Sequence, residues 1–218
     1  MPRRLTEKPS CSAWKWPGNT FSLPNVMPAI ELKKKTPVLY VFFGMIATGK
    51  STLASAWARH KHLQYYNSDL VRKELAGINP AKSQRETIDT GIYTKEFSQK
   101  TYKALLGMAE TQLQQGDSVI LDASYQYVRD RQNVRDLAKN LNCQVYFIFC
   151  RCSEIEMKLR MSKREQDPAA VSDGRWEIYL KQKQRFELPD ELVDSELITI
   201  DTQAPLENLL EELERKLP

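Results

Sequence analysis

The chain has 218 residues, 41% of them hydrophobic and 28% charged, and a formal net charge of +4. That make-up suits a globular protein with one well-buried core, and the longest apolar run, Val38 to Phe43 with its flanks, falls far short of the roughly 20 residues a membrane-spanning helix needs. The excess positive charge is confined to residues 1–36, with seven Lys or Arg against two Glu, while the rest of the chain holds 25 against 26. The body therefore lacks the basic surface by which nucleic-acid-binding domains neutralise phosphates.

Taken in chain order, residues 1–36 contain five of the 11 prolines and end near Lys33-Lys34-Lys35, with no sustained periodicity. They read as an extended, Pro-rich basic arm. Trp14, Trp16 and Phe21 allow either a solvated tail or an arm lying on the domain surface. Met1-Pro2-Arg3-Arg4 is not followed by the apolar stretch of a secretory signal, so a cytoplasmic location is expected. From Pro37 onward, short apolar runs alternate with helical stretches, the signature of βαβ units and a parallel sheet. The strands expected are Val38 to Phe43, Gln64 to Asn67, Ser118 to Leu121, Val145 to Phe149 and Leu197 to Ile200. Helices are expected over Lys50 to His60, over Thr94 to Gln115, along the stripe Val134, Leu137, Ala138 and Leu141, from the capping box Ser153/Glu156 through Arg164, and along Leu206 to Leu217. The result is a three-layer α/β domain over residues 37–218. Cys11, Cys143, Cys150 and Cys152 have no spacing that suits zinc or dithiol chemistry, and His60 and His62 point to different helix faces, so no metal is expected on either set.

The sharpest motif is Gly44-Met45-Ile46-Ala47-Thr48-Gly49-Lys50-Ser51, a G-x-x-x-x-G-K-S pattern placed between a strand and a helix. Each residue type has a chemical reason. Gly44 and Gly49 permit the tight backbone that turns amides of Ala47, Thr48 and their neighbours toward a phosphate. Lys50 bridges β- and γ-phosphate oxygens, Ser51 offers a hydroxyl to magnesium, and Thr52 stands where it can bond the α-phosphate. The second motif is Val119-Ile120-Leu121-Asp122, an apolar strand ending in an acid. Beside such a loop the Asp122 carboxylate holds Mg²⁺ directly or through water; as an isolated feature it would equally fit a cap or a turn. ATP and Mg²⁺ are thus the expected cofactors.

With these motifs in place the chain resembles the AAA_33-type P-loop kinases, the group similar to gluconate kinase, zeta toxins, chloramphenicol phosphotransferase and polynucleotide 5′-kinase domains. The resemblance runs from about Pro37 to the C-terminus. It rests on Gly44 to Ser51, on Asn67-Ser68-Asp69-Leu70-Val71-Arg72, on Val119 to Ser124 with Arg131, and on Lys158-Leu159-Arg160 with Arg164. It implies a five-stranded sheet of order 2-3-1-4-5 with a helical lid over Glu165 to Gly174. It also implies Asp69 as the acceptor of the substrate hydroxyl proton, Arg72 and Arg131 as substrate contacts, and Arg160 or Arg164 as lid arginines that neutralise the transferring phosphoryl group. Simpler roles remain open at each: a helix cap at Ser68 or Asp69, an ion pair of Glu156 with Arg160, a helix-surface position for Arg131.

The function expected is transfer of the γ-phosphate of ATP to a hydroxyl of a small molecule, by a monomer or weak dimer with no membrane partner. A polynucleotide 5′-hydroxyl kinase and a non-catalytic nucleotide-binding module are the alternatives. The near-neutral body disfavours the first, and Asp69 disfavours the second.

Overall fold

The computed structural model describes residues 36–79, 91–165 and 176–217, the side chains of 164 and 165 excepted. Nearly all of the expected arm, the lid segment beyond Glu165 and the side chain of Arg164 lie outside the described residues. The order of elements is β1 (Val38–Phe43), α1 (Lys50–Lys61), β2 (Gln64–Asn67), α2 (Ser68–Leu75), a 3-10 turn (Gly91–Tyr93), α3 (Lys95–Gln115), β3 (Val119–Asp122), α4 (Val128–Asn140), β4 (Gln144–Arg151), α5 (Glu154–Glu165), α6 (Trp176–Arg185), β5 (Leu197–Asp201) and α7 (Leu206–Lys216).

The strands form one parallel sheet of order β2-β3-β1-β4-β5. Parallel strands need crossover connections, and here each crossover carries a helix, so both faces are covered. Strand β1 shows the consequence: all six of its residues are buried. Leu39, Val41 and Phe43 face a cluster that takes Leu105 and Ala109 from α3 and Val134 from α4. Val38, Tyr40 and Phe42 face the other layer, with Leu53 and Trp57 of α1 and Leu209 and Leu213 of α7. Trp57 is completely buried, and truncating such a ring to alanine typically costs about 3–5 kcal/mol.

Register places the chemistry. Phe42 pairs with Asp122 across β1 and β3, and Asn67 pairs with the same Asp122 across β2 and β3. The C-terminal ends of three adjacent strands are therefore level, which is where open α/β sheets bind their ligands. The expected strands and helices are present, and α2, the 3-10 turn and α6 are further elements that the periodicity did not announce. Helix α6 carries too little regular apolar pattern to be read from the sequence. The capping box at Ser153 is only half formed: Ser153 Oγ accepts from the Glu156 amide at 3.3 Å, while the Ser153 amide donates to Gln203 and Glu156 turns to Arg160 instead. Among the described residues no helix is long and apolar enough to cross a membrane. Cys143, Cys150 and Cys152 are free thiols, and His60 is bound to Glu214.

Candidate active site

The loop after β1 is shaped by steric necessity. Gly44 has φ 140°, and a Cβ there would lie 2.4 Å from the carbonyl oxygen of Cys150 in the neighbouring strand. Ala47 (φ 60°) and Gly49 (φ 81°) turn the chain through the left-handed region before α1 begins at Lys50. Among the described residues no side chain caps that helix, so its first-turn amides and positive dipole end suit an anionic ligand. Thr48 is buried and closes the loop on itself, its Oγ1 donating to the Met45 carbonyl at 2.8 Å. From the opposite side Thr202, just after β5, donates its hydroxyl to the Thr48 carbonyl at 2.5 Å. Arg160 completes the brace: its guanidinium donates to the Ala47 carbonyl at 3.4 Å and to Thr202 Oγ1 and O at 3.1 and 2.7 Å.

Beside the loop stands Asp122, fully buried at the end of β3. Its Oδ2 accepts from Tyr65 Oη and from Asn67 Nδ2, each at 2.6 Å. Its Oδ1 is buried and has no partner among the described residues. A buried carboxylate oxygen left bare is costly unless something else binds it. Burial, together with the carboxylate beside it, pushes the Tyr65 phenol well above its ordinary range, and the Ser51 hydroxyl also bears on that phenol. Tyr65 therefore stays a hydrogen-bond donor to Asp122. One carboxylate oxygen, one serine hydroxyl and oxygens brought by a phosphate chain suit magnesium, which takes few protein ligands. Among the described residues no cluster of three or more His, Cys, Asp or Glu side chains could hold an ion by itself.

Asn67 has a second task. Its Oδ1 accepts from the amides of Asp69 and Leu70 at 3.0 and 3.1 Å, which makes it the N-cap of α2. The capped turn presents Asp69, whose Oδ1 takes a hydrogen bond from Arg72 Nη1 at 3.0 Å. Arg72 in turn lies over the Tyr93 ring, 5.0 Å from its centroid. Lys50, Ser51, Asp69 and Arg72 line one cleft of about 1090 Å³. A smaller cleft of about 330 Å³ opens at Gly49 and Thr52 and is walled by Arg160, Thr202 and Leu206.

A family description designated AAA_33, an AAA domain, matches residues 39–189. The chain belongs to the AAA_33 family. Uncharacterized proteins of Mycobacterium bovis and Mycobacterium tuberculosis are 30% identical to it over 120 residues, 55% of this chain and 24% of theirs. The match thus spans about a quarter of the length of these curated relatives. Among solved structures, a sugar kinase from Janibacter superposes with a TM-score of 0.60 at 23% identity, over 82% of this chain and 93% of that one. A gluconokinase from Sinorhizobium meliloti gives 0.56 at 19% identity, over 81% and 89%. At such identities the likeness establishes the fold, a kinase-type P-loop NTPase.

Within this AAA_33 member the site residues read from the sequence divide into two groups. Gly44, Ala47, Thr48, Gly49, Lys50, Ser51, Asp69, Arg72 and Asp122 gather at the C-terminal ends of β1, β2 and β3, and Thr52 faces the smaller cleft. Arg131 and Arg160 do not line the larger cleft, and for Arg131 the expected substrate contact is corrected. Arg131 is completely buried and spends its donors on Glu191 (2.5 and 2.9 Å), the Tyr125 carbonyl (2.7 Å) and the Leu188 carbonyl (3.2 Å). It clamps α4 to the segment before β5 and has no free direction for a substrate. Arg160 pairs with Glu156 at 2.8 Å and holds the back of the phosphate loop. Its guanidinium faces the Ala47 carbonyl and Thr202 and walls the smaller cleft. The N-cap of α2 is Asn67, not Ser68 or Asp69. Residues that sequence reasoning missed are Tyr65 and Asn67, which fix Asp122, and Thr202, which braces the loop. Asn67 carried one usable signal, an Asx side chain at the strand-to-helix junction.

Proposed function

We propose that this chain transfers the terminal phosphoryl group of ATP to a hydroxyl of a small-molecule acceptor, with residues 37–218 as the catalytic unit. One observation carries the reading: the phosphate-loop residues Lys50 and Ser51 line the same cleft as the Asp69–Arg72 pair, so donor and acceptor sites are continuous. The loop amides and the Lys50 ammonium bind the phosphate chain and stabilise charge on it. Ser51 and the bare Oδ1 of Asp122 would hold Mg²⁺, which when bound neutralises the β and γ oxygens. Asp69, its rotamer fixed by Arg72, orients the acceptor hydroxyl. As the acceptor oxygen bonds to phosphorus, the bond to the β–γ bridging oxygen breaks, ADP leaves with the electron pair, and the hydroxyl proton passes to the Asp69 carboxylate. The nucleoside end fits the smaller cleft beyond Thr52.

The test incubates the pure chain and its Asp69→Asn variant with labelled ATP and a panel of sugars, sugar acids, nucleosides, antibiotics and 5′-hydroxyl oligonucleotides. A small acceptor should gain label, and Asp69→Asn should retain nucleotide binding while losing transfer by roughly 100-fold or more. Label confined to the oligonucleotides would move the assignment to a polynucleotide kinase. Absence of both label and nucleotide binding would refute the reading.

A further inference from the structure

Gln182, on α6, touches the phosphate loop in a way that the reaction above leaves unused. Its Oε1 accepts a hydrogen bond from the Ile46 amide at 2.7 Å, joining positions 136 residues apart. A backbone N–H can only donate, so the oxygen must face Ile46 and the other terminus of the carboxamide is the NH₂. Among the described residues no acceptor pairs with that NH₂, and Gln182 lines the larger cleft together with Ile46, Lys50 and Ser51. The placement does not rest on one polar contact. Tyr179, three residues earlier on α6, is buried with Ala47, Met157 and Met161, and Ile46 and Trp176 pack against that cluster.

The sidedness of the loop decides which phosphate Gln182 would meet. Gly49 and Thr52 open on the smaller cleft, whereas Ile46, Lys50 and Ser51 open on the larger one that holds Asp69. A phosphate chain running from the first to the second brings its terminal group to the Ile46 side. We infer that Gln182 donates from its NH₂ to the terminal phosphoryl group of the bound nucleotide while its Oε1 stays on the Ile46 amide, and so makes the site prefer a triphosphate to a diphosphate. This rests on the kinase reading. A carboxylate in the same place would accept from Ile46 equally well, but it would have no donor and would repel the phosphoryl oxygens.

The experiment measures dissociation constants of a non-hydrolysable ATP analogue and of ADP, each with Mg²⁺, for the full chain and for Gln182→Glu and Gln182→Ala. The unaltered chain should prefer the triphosphate. Gln182→Glu should weaken the triphosphate by about tenfold or more and leave ADP within about twofold, with Gln182→Ala between. An unchanged ratio, or equal weakening of both nucleotides, would overturn the inference by making Gln182 only a prop for the loop. Should Gln182→Glu fail to fold by its melting curve, Gln182→Ala decides by the same ratio. If the unaltered chain binds neither nucleotide, the kinase reading itself falls and the inference with it.

Discussion

Replacing Asn67 with alanine removes four hydrogen bonds at once: two from the amides of Asp69 and Leu70, one to Asp122 and a longer one to Tyr65 Oη. Loss of an N-cap costs about 1 kcal/mol. A hydrogen bond to a carboxylate is worth about 1.5–3 kcal/mol, and here the acceptor is buried and keeps only Tyr65 as a donor. The total is about 3 kcal/mol. For a domain of this size each kcal/mol moves the melting point by about 2–4 °C, so Asn67→Ala should melt about 6–12 °C lower. Asn67→Ser separates the two parts, because serine can cap the helix but cannot reach Asp122; it should recover about 1 kcal/mol. Asn67→Asp keeps an acceptor for the cap but sets a second carboxylate against Asp122, so added Mg²⁺ should raise its melting point more than it raises that of the unaltered chain. Thermal and urea melts with and without Mg²⁺ provide the measurement. A cost below about 1 kcal/mol for Asn67→Ala, or no advantage of serine over alanine, would refute the dual role assigned to this side chain.

Lys50→Ala should lower phosphoryl transfer by about 100-fold or more with the melting point little changed, because its charge serves the phosphates and not the core; rate measurements and a melt on the same preparation check both halves. Arg131→Met should cost about 3 kcal/mol in urea unfolding, since it leaves Glu191 and two carbonyls without their donor. The same pair sets an acid dependence. Burial pushes Glu191 up, but the hydrogen bonds and charge of Arg131 outweigh it and hold the carboxyl below its ordinary value. A depressed carboxyl contributes stability that is fully present above its unfolded value near 4.3 and is lost as pH falls through the folded one. Unfolding free energy should therefore decline below about pH 4.5, and more shallowly in Arg131→Met. Thr202→Val keeps the shape but removes the donor to the Thr48 carbonyl, so it should destabilise by about 1–3 kcal/mol and weaken nucleotide binding, while Thr202→Ser restores both.

What the sequence disclosed and what it hid follow from how far each interaction reaches along the chain. Gly44 to Ser51 was legible because a phosphate loop is local: strand, turn and helix start are contiguous, and backbone amides form the cradle. The strand order came with the family resemblance, and the alternation within β1 follows from two-sided burial. Arg131 was misjudged because its partner Glu191 lies 60 residues away, and nothing in helical spacing reveals which way α4 is rotated. Arg160 showed its Glu156 partner four residues earlier, but the carbonyls of Ala47 and Thr202 that capture its guanidinium are distant in sequence. Gln182 was invisible for the same reason.

The brace beneath the phosphate loop has a consequence for how this protein can be divided. The family match ends at residue 189, yet the hydroxyl that fixes the Thr48 carbonyl belongs to Thr202. A fragment trimmed to the matched stretch would keep every residue of the nucleotide motif and lose the strut that holds its curvature. For this fold the recognisable signature and the smallest working unit are different lengths of chain.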